Sequence, residues 1–307
     1  MKQSRPAITV IIPTHNRAEF LKRAIKSVLA QTWQDFELII VDDASTDDTA
    51  NVVRDYQDER ILYHRHDSNL GAPASRNTGI AKARGDYIAL LDDDDELFPR
   101  KLEKQMQKYA EVAASVGLIY TGHEVRNSMG KLLHSRLPEG KTRGDVRLRL
   151  LLGPAFPSHT PLIRRDCFKL TGGFDDFLTS CQDWDMWKRI SEHYEFDYVP
   201  EVLSTTYQHD HQISSDFSAM IPGRIRMVEK HWEEFRKHPV IFVIHLKRIG
   251  KMHCINGTWR EALPWFKEAV KVAPREIFKI VAWCILELPR VKMSSREGKF
   301  KRYLLNP

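Results

Sequence analysis

The first 115 residues alternate between short apolar runs, rich in β-branched residues, and segments with apolar positions at helical spacing. Short apolar runs bounded by polar residues predict buried strands, whereas apolar residues at i, i+3 and i+4 predict helices packed on one face. The predicted strands are Ile8–Ile12, Phe36–Val41, Ile61–His64 and Tyr87–Leu91. A predicted helix follows each strand. Four such units in succession predict an α/β fold, with a parallel sheet covered by helices on both faces.

Polar clusters stand directly after three of these strands. They are Pro13–Arg17, Asp42–Asp43 and Asp92–Asp95. Ligands of open parallel sheets bind outside the carboxyl ends of the strands. The three clusters are therefore predicted to meet at one ligand-binding edge. Asn16 is also predicted to cap the helix that follows the first strand.

The four consecutive aspartates Asp92, Asp93, Asp94 and Asp95 form the most unusual of these clusters. Adjacent carboxylates repel one another unless a cation or strong hydrogen-bond donors neutralise them. A hard divalent cation, held by one or two carboxylates and by phosphate oxygens, fits a run at this edge of a sheet. The alternative is a solvated acidic turn before the helix that Pro99 opens.

Composition and charge narrow the classes of protein and of partner that fit this chain. The chain has 307 residues and a formal net charge of +6, a mild excess that favours anionic partners such as nucleotide diphosphates or lipid head groups. Nucleic acid is not an expected partner, because the basic residues are scattered and the predicted cleft is acidic. The four cysteines form no CxxC pattern, and no apolar run is long enough to span a bilayer. A cytoplasmic location is expected.

The pattern changes twice along the chain. After residue 115 it gives way to short strands and turns, and from about residue 216 it becomes helical. The predicted organisation is a nucleotide-binding half at 1–115, a second half with the acceptor site and the catalytic base at 116–215, and a helical extension at 216–307.

Two stretches together resemble the inverting family 2 glycosyltransferases: ITVIIPTHNRAEFLKRAIKSVLAQTWQDFELIIVDDASTDDT and NLGAPASRNTGIAKARGDYIALLDDDDELFP. The resemblance is close over residues 7–110 and looser to about residue 214. It implies a GT-A fold, which is a Rossmann-like, mostly parallel sheet, here with a helical C-terminal extension. It also implies transfer of a sugar from a nucleoside diphosphate sugar, with a UDP-sugar favoured, to a hydroxyl acceptor in polysaccharide or glycolipid synthesis of the cell envelope.

The resemblance assigns donor and metal roles to individual residues. A divalent metal, Mn²⁺ or Mg²⁺, is the implied cofactor, with Asp94 as its main ligand, Asp92 on the metal or the ribose, and Asp95 in support. Asp93 occupies a variable position of the motif and is grouped with the donor-binding residues. The other implied donor-binding residues are Pro13, Thr14, Asn16, Arg17, Asp42, Arg76 and Asn77.

A second motif implies the catalytic base. The turn Gly172–Asp175 is followed by the segment CQDWDMW, in which Asp183 matches the family's base. Gln182 stands where the family usually has Glu, which removes one negative charge beside the base. Gln182 and Trp184 are predicted to face the acceptor. The alternatives are a helix-capping role for Asp183 and a core position for the tryptophan.

Two further predictions concern the C-terminal part. His209, five positions before Ser214, matches a family histidine and is an expected ligand of the metal or diphosphate; a histidine with no ligand role is the alternative. Basic residues lie among apolar ones near the C-terminus, which favours peripheral contact with the inner face of an anionic membrane and a glycan or lipid-linked acceptor. A solvated basic face is the alternative. Residues 286–307 hold six basic residues (Arg290, Lys292, Arg296, Lys299, Lys301 and Arg302), of which Arg290, Lys292, Lys299 and Arg302 lie close to apolar residues.

Other functions account for the sequence less well. A nucleotidyltransferase is expected to carry a glycine-rich basic loop after the first strand, and a dinucleotide-binding dehydrogenase a GxGxxG motif there. The loop Pro13–Arg17 contains no glycine. A non-catalytic sugar-nucleotide or glycan-binding protein on the same fold is the remaining alternative, and the presence of both Asp94 and Asp183 counts against it.

Overall fold

The computed structural model describes residues 5–208 and 217–288. These residues divide into two compact units. The first comprises the described residues up to Phe177 and those from Gln182 to Gln208. The second comprises residues 178–181 and the described residues from Phe217 onward.

The first unit is built on one nine-stranded sheet. The strands are β1 (Ile8–Thr14), β2 (Phe36–Asp42), β3 (Ile61–Arg65), β4 (Tyr87–Leu90), β5 (Glu96–Leu97), β6 (Val116–Asn127), β7 (Leu132–Arg136), β8 (Leu162–Arg164) and β9 (Glu195–Gln208). Their order is β3-β2-β1-β4-β8-β6-β9-β5, with β7 paired to β6. The predicted halves 1–115 and 116–215 therefore share one sheet.

Helices connect these strands. They are α1 (Ala18–Leu29), α2 (Thr49–Arg54), α3 (Ala72–Lys82), α4 (Lys101–Glu111), α5 (Arg147–Leu151), α6 (Arg165–Thr171) and α7 (Gln182–Ser191), with a 3₁₀ turn at Gly140–Thr142. The first four strands pair in parallel, β1 with both β2 and β4, and β2 with β3. The α/β fold is confirmed; the sheet is mixed, because β8, β7 and β5 pair antiparallel with their neighbours.

The register decides which loops meet. Thr14 at the end of β1 pairs with Asp42 at the end of β2. Ile163 of β8 pairs antiparallel with Ile88 of β4 on one side and with Leu118 of β6 on the other. Because β8 runs against both neighbours, β4 and β6 run in the same direction. The loops after β1, β2, β4 and β6 therefore leave the sheet at one edge.

A hydrophobic cluster lies on each face of the sheet. Ile8, Val10 and Ile12 point to one face, where they pack with the apolar side of α1. Ile11 and Ile88 point to the other, where α5, α6 and α7 pack. All five side chains are fully buried. Each contributes about 1.5–3 kcal/mol of transfer free energy, so the strand register that fixes the site edge is strongly specified.

The second unit is helical. Its helices are α8 (Phe217–Lys230), α9 (Trp232–Lys237), α10 (Pro239–Ile255), α11 (Trp259–Val272) and α12 (Glu276–Ala282), and a π-helical turn follows at Trp283–Glu287. Phe235 and Phe242 are buried between α9 and α10, with their rings 6.3 Å apart. The predicted helical extension is confirmed over residues 217–288. None of the helices within residues 5–208 and 217–288 is both long and apolar enough to cross a membrane.

Candidate active site

Asp92, the first residue of the acidic run, is tied to two neighbours. One guanidinium nitrogen of Arg76, on α3, donates a 2.6 Å hydrogen bond to Asp92 Oδ1, and the hydroxyl of Ser158 donates a 3.1 Å bond to Oδ2. Burial alone would raise the pKa of Asp92, but Arg76 holds it below its ordinary value. Asp92 therefore remains a carboxylate in this environment.

One arginine neutralises the middle of the run. Arg17 Nη1 lies 3.1 Å from Asp93 Oδ1 and 3.0 Å from Asp94 Oδ2. The hydroxyl of Thr14 donates a further 2.8 Å hydrogen bond to Asp93. Burial raises the pKa of Asp93 to about 7 despite Arg17, and the neighbouring charge of Asp94 adds to the rise. The loop after β1 and the loop after β4 are joined by these contacts.

Asp95 lies against a histidine that the motifs did not indicate. His159 Nδ1 is 2.8 Å from Asp95 Oδ2, and both side chains are at most 5% exposed. Burial raises the pKa of Asp95 to about 6, although His159 opposes the rise. His159 and Ser158 lie in the loop before β8, whose pairing with β4 carries them to the acidic run. The only sequence signal was a short polar SHT cluster before an apolar pair.

The run suits a divalent cation in its chemistry. All four residues offer hard oxygen ligands, which Mg²⁺ and Mn²⁺ prefer. Asp95 Oδ1 is buried and has no hydrogen-bond partner among residues 5–208 and 217–288. A buried carboxylate oxygen without a partner is costly. The predicted ligands Asp92, Asp94 and Asp95 therefore fit a cation, whereas His209 lies outside the described residues.

The loop after β1 is fixed to the loop after β2. The carboxamide oxygen of Asn16 accepts hydrogen bonds from the backbone N–H groups of Thr46 (2.7 Å) and Asp47 (3.3 Å). Asn16 itself adopts a positive φ of 53°. Asp47, not Asn16, accepts the hydrogen bond of the first helical N–H, that of Ala18, at 3.0 Å. The prediction that Asn16 caps α1 is wrong, because its side chain holds the neighbouring loop instead.

Asp42 is buried at the end of β2. Its carboxylate accepts a 2.8 Å hydrogen bond from the Ser45 backbone and one from the Tyr63 hydroxyl, and Arg65 lies 3.6 Å away. This environment raises the pKa of Tyr63, chiefly through burial and then through its hydrogen bond to Asp42. The adjacent Asp43 accepts the backbone N–H groups of residues 70 and 71. Asp42 thus lies at the predicted edge of the sheet, near the guanidinium of Arg65. Its contact with a nucleotide remains a prediction.

Two neighbouring residues of α3 have different roles. The carboxamide of Asn77 clamps the glycine turn: it accepts a 2.7 Å hydrogen bond from the Phe174 N–H and donates bonds to the Phe174 carbonyl and to Asp176. A Cβ added at Gly173 would lie 2.3 Å from the Asn77 carboxamide oxygen, so a larger residue there would displace this clamp. Arg76 instead points to the acidic run. The structure therefore places Asn77 as a support of the turn, and its predicted contact with the donor is not tested.

Asp183 lies in the first turn of α7, close to Arg76. Arg76 Nη1 donates a 2.6 Å hydrogen bond to Gln182 Oε1, the preceding side chain. Burial raises the pKa of Asp183; Arg76 opposes this rise and Asp92 adds to it. A general base works best when its pKa approaches the operating pH. Because Gln182 is the first helical residue, Asp183 is not the cap of α7.

The two tryptophans of α7 belong to the core. Trp184 is 1% exposed, and its indole N–H donates to the Leu150 carbonyl; Trp187 is fully buried near Phe156 and Phe174. The predicted acceptor platform at Trp184 is corrected accordingly, because neither face of a buried ring is open to a sugar. The helical spacing of the two tryptophans indicated an apolar face of α7. It did not indicate that other parts of the protein cover this face. Gln182 points to Arg76, which places it beside the site, although its predicted acceptor contact is untested.

Comparisons with known proteins identify the family of this chain. Residues 9–171 match the profile of glycosyl transferase family 2. An uncharacterized glycosyltransferase of Rickettsia typhi is 32% identical over 245 residues, which are 77% of this chain and 74% of the relative. WcaA of Escherichia coli, a glycosyltransferase named for colanic acid biosynthesis, is 29% identical over 284 residues, 85% of this chain and 93% of its own.

Solved structures share the fold. S. aureus TarS in complex with UDP-GlcNAc superposes with a TM-score of 0.65 at 18% identity, covering 96% of this chain and 93% of that one. The mannosyltransferase PcManGT from Pyrobaculum calidifontis, in complex with GDP-Man and Mn²⁺, gives a TM-score of 0.58 at 17% identity over 96% and 85%. At these identities the likeness concerns the fold alone.

Proposed function

This chain belongs to glycosyltransferase family 2, and we propose that it transfers a sugar from a nucleoside diphosphate sugar, with a UDP-sugar favoured, to a hydroxyl acceptor with inversion at the anomeric carbon. The observation that carries the proposal is the position of Arg76. This buried side chain contacts Asp92 of the acidic run and Gln182 beside Asp183. Arg76 therefore connects two groups. One is the acidic run, which suits the diphosphate end of the donor, and the other is the segment that carries Asp183, which suits the acceptance of a proton.

Asp183 is the proposed general base. Its raised pKa brings the carboxylate nearer to the range in which it can accept a proton from an attacking hydroxyl. The nearby positive charge of Arg76 opposes this rise in the pKa. A single displacement, with no covalent intermediate, inverts the configuration. General-base assistance of this kind contributes about 10²–10⁴ in rate.

The acidic run is the proposed site of the donor diphosphate. Asp94 and Asp95, with Asp92, would hold a divalent cation, Mn²⁺ or Mg²⁺, which when bound supplies positive charge to the departing diphosphate. In the structure, the guanidinium of Arg17 pairs with the carboxylates of both Asp93 and Asp94. Because a cation and Arg17 neutralise the same carboxylates, Arg17 is expected to turn toward the donor phosphates when the cation binds.

Cell-envelope polysaccharide synthesis is the proposed setting. Support comes from WcaA, whose name refers to colanic acid and which matches 85% of this chain. The acceptor is then a glycan or a lipid-linked glycan. A non-catalytic sugar-nucleotide-binding protein on the same fold is the alternative, and the half-buried Asp183 with its raised pKa favours the enzyme.

A screen of donors tests this function. Thermal stability of the full chain would be measured with UDP-, GDP-, dTDP- and CMP-sugars, each with and without Mn²⁺ or Mg²⁺. We expect one class of donor to raise Tm, and to do so only with metal, because binding to the native state alone stabilises it. The proposal fails if no nucleotide-sugar changes Tm in either condition.

Peripheral contact with an anionic membrane is a separate proposal. Phe278, Val281 and Ile285 are spaced i, i+3 and i+7 along α12 and the turn after it, and are 77%, 48% and 66% exposed. This spacing places them on one helical face. Six basic residues follow in the sequence: Arg290, Lys292, Arg296, Lys299, Lys301 and Arg302. An apolar face followed by basic residues suits the surface of an anionic bilayer, and a cytoplasmic enzyme would then lie on the inner face of the cell membrane.

Vesicle sedimentation tests the membrane proposal. The full chain should pellet with phosphatidylglycerol vesicles and not with phosphatidylcholine vesicles, and the double variant Phe278→Ser/Ile285→Ser should pellet less. Phe177→Ser is the matched control, since Phe177 is also 77% exposed but lies in the first unit. Equal pelleting of the double variant and the wild type would contradict the proposal.

A further inference from the structure

A cavity of about 370 Å³ lies within the first unit, beside the acidic run. Its walls come from the carboxyl half of β6, from β7 and the turn after it, from α5 and from the loop before β8. The charged and titratable residues that line it are Tyr120, His123, Arg136, Glu139 and Arg149. A volume of this size accommodates a small polar ligand, such as a monosaccharide with one substituent.

The sheet places this cavity at the catalytic edge. Leu162 of β8 pairs with Ala89 of β4 and with Ile119 of β6. Residues of β6 beyond Ile119 are therefore level with the end of β4, after which the acidic run begins. The nucleotide-binding strands β1 to β3 lie on one side of β4, whereas β6 lies on the other. The cavity is thus on the side of the acidic run that the predicted donor half does not occupy.

Two series of neighbouring residues connect the cavity to the elements that carry the reacting groups. The ring of His123 stands edge-on to the ring of His159, 6.0 Å between centroids, and His159 contacts Asp95. Arg149 lies on α5 next to Leu150 in the sequence, and the Leu150 carbonyl accepts the indole N–H of Trp184. Trp184 directly follows the proposed base. The cavity is therefore bounded by neighbours of both catalytic elements.

The lining carries two cations without acidic partners. Among the described parts of the chain, neither Arg136 nor Arg149 forms an ion pair, and Arg149 donates only a 3.3 Å hydrogen bond to the Gly153 carbonyl. The opposing charge is that of Glu139. Burial lowers the pKa of His123 to about 4, so that His123 is uncharged at neutral pH. Two guanidinium groups beside one carboxylate leave the cavity with an excess of positive charge.

We propose that this cavity binds the acceptor, and that Arg136 and Arg149 recognise an anionic group on it. This inference rests on the proposed transferase function and specifies the chemistry of its acceptor. Guanidinium groups bind carboxylates and phosphates through paired, charge-assisted hydrogen bonds. The carboxylate of Glu139 suits the hydroxyl groups of a sugar. The acceptor class is a sugar bearing an oxyanion, either the carboxylate of a uronic acid or a phosphate ester.

Calorimetric titration of the full chain tests the proposal. Glucuronic acid, glucose 6-phosphate and glucose would each be titrated in the presence of UDP and Mn²⁺. We expect at least one anionic sugar to bind about tenfold or more tightly than glucose, because charge-assisted hydrogen bonds to the guanidinium groups strengthen its binding. The stronger of the two anionic probes identifies the carboxylate or the phosphate as the natural group.

Variants separate the cavity from general effects of charge. Arg136→Gln and the double variant Arg136→Gln/Arg149→Gln should bring the anionic probe to the affinity of glucose, without changing the Kd of the donor. Arg147→Gln is the matched control, because Arg147 lies on α5 with Arg149 but pairs with Asp145. It should leave all three affinities unchanged.

The outcomes distinguish this inference from the proposed function. Failure of the proposed function appears as wild-type protein that binds no nucleotide-sugar. Failure of the acceptor proposal appears as intact donor binding together with no preference for anionic sugars, no sugar binding, or a preference that survives in the double variant. Each of these three results overturns the assignment of the cavity.

Discussion

The guanidinium of Arg76 lies 2.6 Å from the carboxylate of Asp92 and is almost completely buried. The same group donates a second 2.6 Å hydrogen bond to Gln182. It therefore connects the loop after β4 to the first turn of α7. Neither loop could shift far without leaving a buried guanidinium or carboxylate unpaired, which is costly. The acidic run and the proposed base are thus held in one arrangement before any substrate binds.

Replacement of Arg76 by Met is expected to lower the free energy of unfolding. Removal of one partner from a buried ion pair costs about 3–5 kcal/mol; because about a third of the Asp92 side chain is exposed, we expect a loss of about 2–3 kcal/mol. Urea denaturation measures it. Arg23→Met is the control, since Arg23 is about a third exposed and pairs with Glu96. Equal, small effects of both changes would contradict the role assigned to Arg76.

Gln182→Glu is expected to move the pH dependence of the reaction. A carboxylate at residue 182 places a negative charge beside Asp183 and pairs with Arg76, which now opposes the rise in the pKa of Asp183. Both effects raise the pKa of the base further. Since the base must be deprotonated, the acidic limb of kcat/KM should shift to higher pH. A profile measured from pH 4.5 to 8 that shows no shift, or a shift to lower pH, would contradict this electrostatic account.

Asn77→Ala separates support of the turn from contact with the donor. The carboxamide makes three hydrogen bonds to the turn at Phe174 and to Asp176. Their loss should lower the free energy of unfolding by about 1–3 kcal/mol. Once the protein is folded, the Kd of the donor should change less than threefold. A weaker donor complex with unchanged stability would instead support the direct donor contact predicted from the family motif.

Lys101 predicts a pH dependence of stability. Its side chain is fully buried on α4, and its ammonium group donates to Gln105. Burial lowers the pKa of Lys101 from 10.5 to about 7. Between these values the unfolded chain binds more protons than the native state, so stability from this group rises with pH, by up to about 1.4 kcal/mol per unit. The stability that Lys101 contributes is fully present above pH 10.5 and is lost as the pH falls through 7.

The difference between wild type and Lys101→Met isolates this contribution. Unfolding free energies measured from pH 6.5 to 9.5 should show the positive slope in the wild type and a smaller slope in the variant. Lys104→Met is the control on the same helix, because Lys104 pairs with Glu201 at 2.8 Å and is partly exposed. A wild-type slope that persists in Lys101→Met would exclude a neutral buried lysine.

The parallel half of the sheet could be predicted from the sequence because its strands are short, mostly apolar runs bounded by polar residues. The predicted strand Ile8–Ile12 corresponds to β1, and Tyr87–Leu91 to β4, within two residues at each end. The later strands were less evident. The three-residue β8 enters the sheet between β4 and β6 through antiparallel pairing. Such pairing depends on contacts distant in sequence, which periodicity does not report.

The site was predicted only in part for the same reason. Residues in recognisable motifs, such as Arg76 and Asp183, were found, whereas Ser158, which hydrogen-bonds Asp92 from 66 positions away, was not. The assignment of Trp184 failed because α7 is covered on both sides: its apolar residues pack under the sheet, and Trp184 contacts α5. An isolated helical pattern cannot indicate which apolar side chain lies beside a ligand.

Asp183→Asn gives the most direct test of the central claim, that this chain is a glycosyltransferase in which Asp183 accepts the acceptor's proton. The measurement is kcat for sugar transfer, paired with the calorimetric Kd of the same donor in the presence of metal. We expect kcat to fall by about 10²–10⁴, while the donor Kd stays within about twofold because the acidic run and Arg76 are intact. A variant that transfers sugar at the wild-type rate would contradict the account.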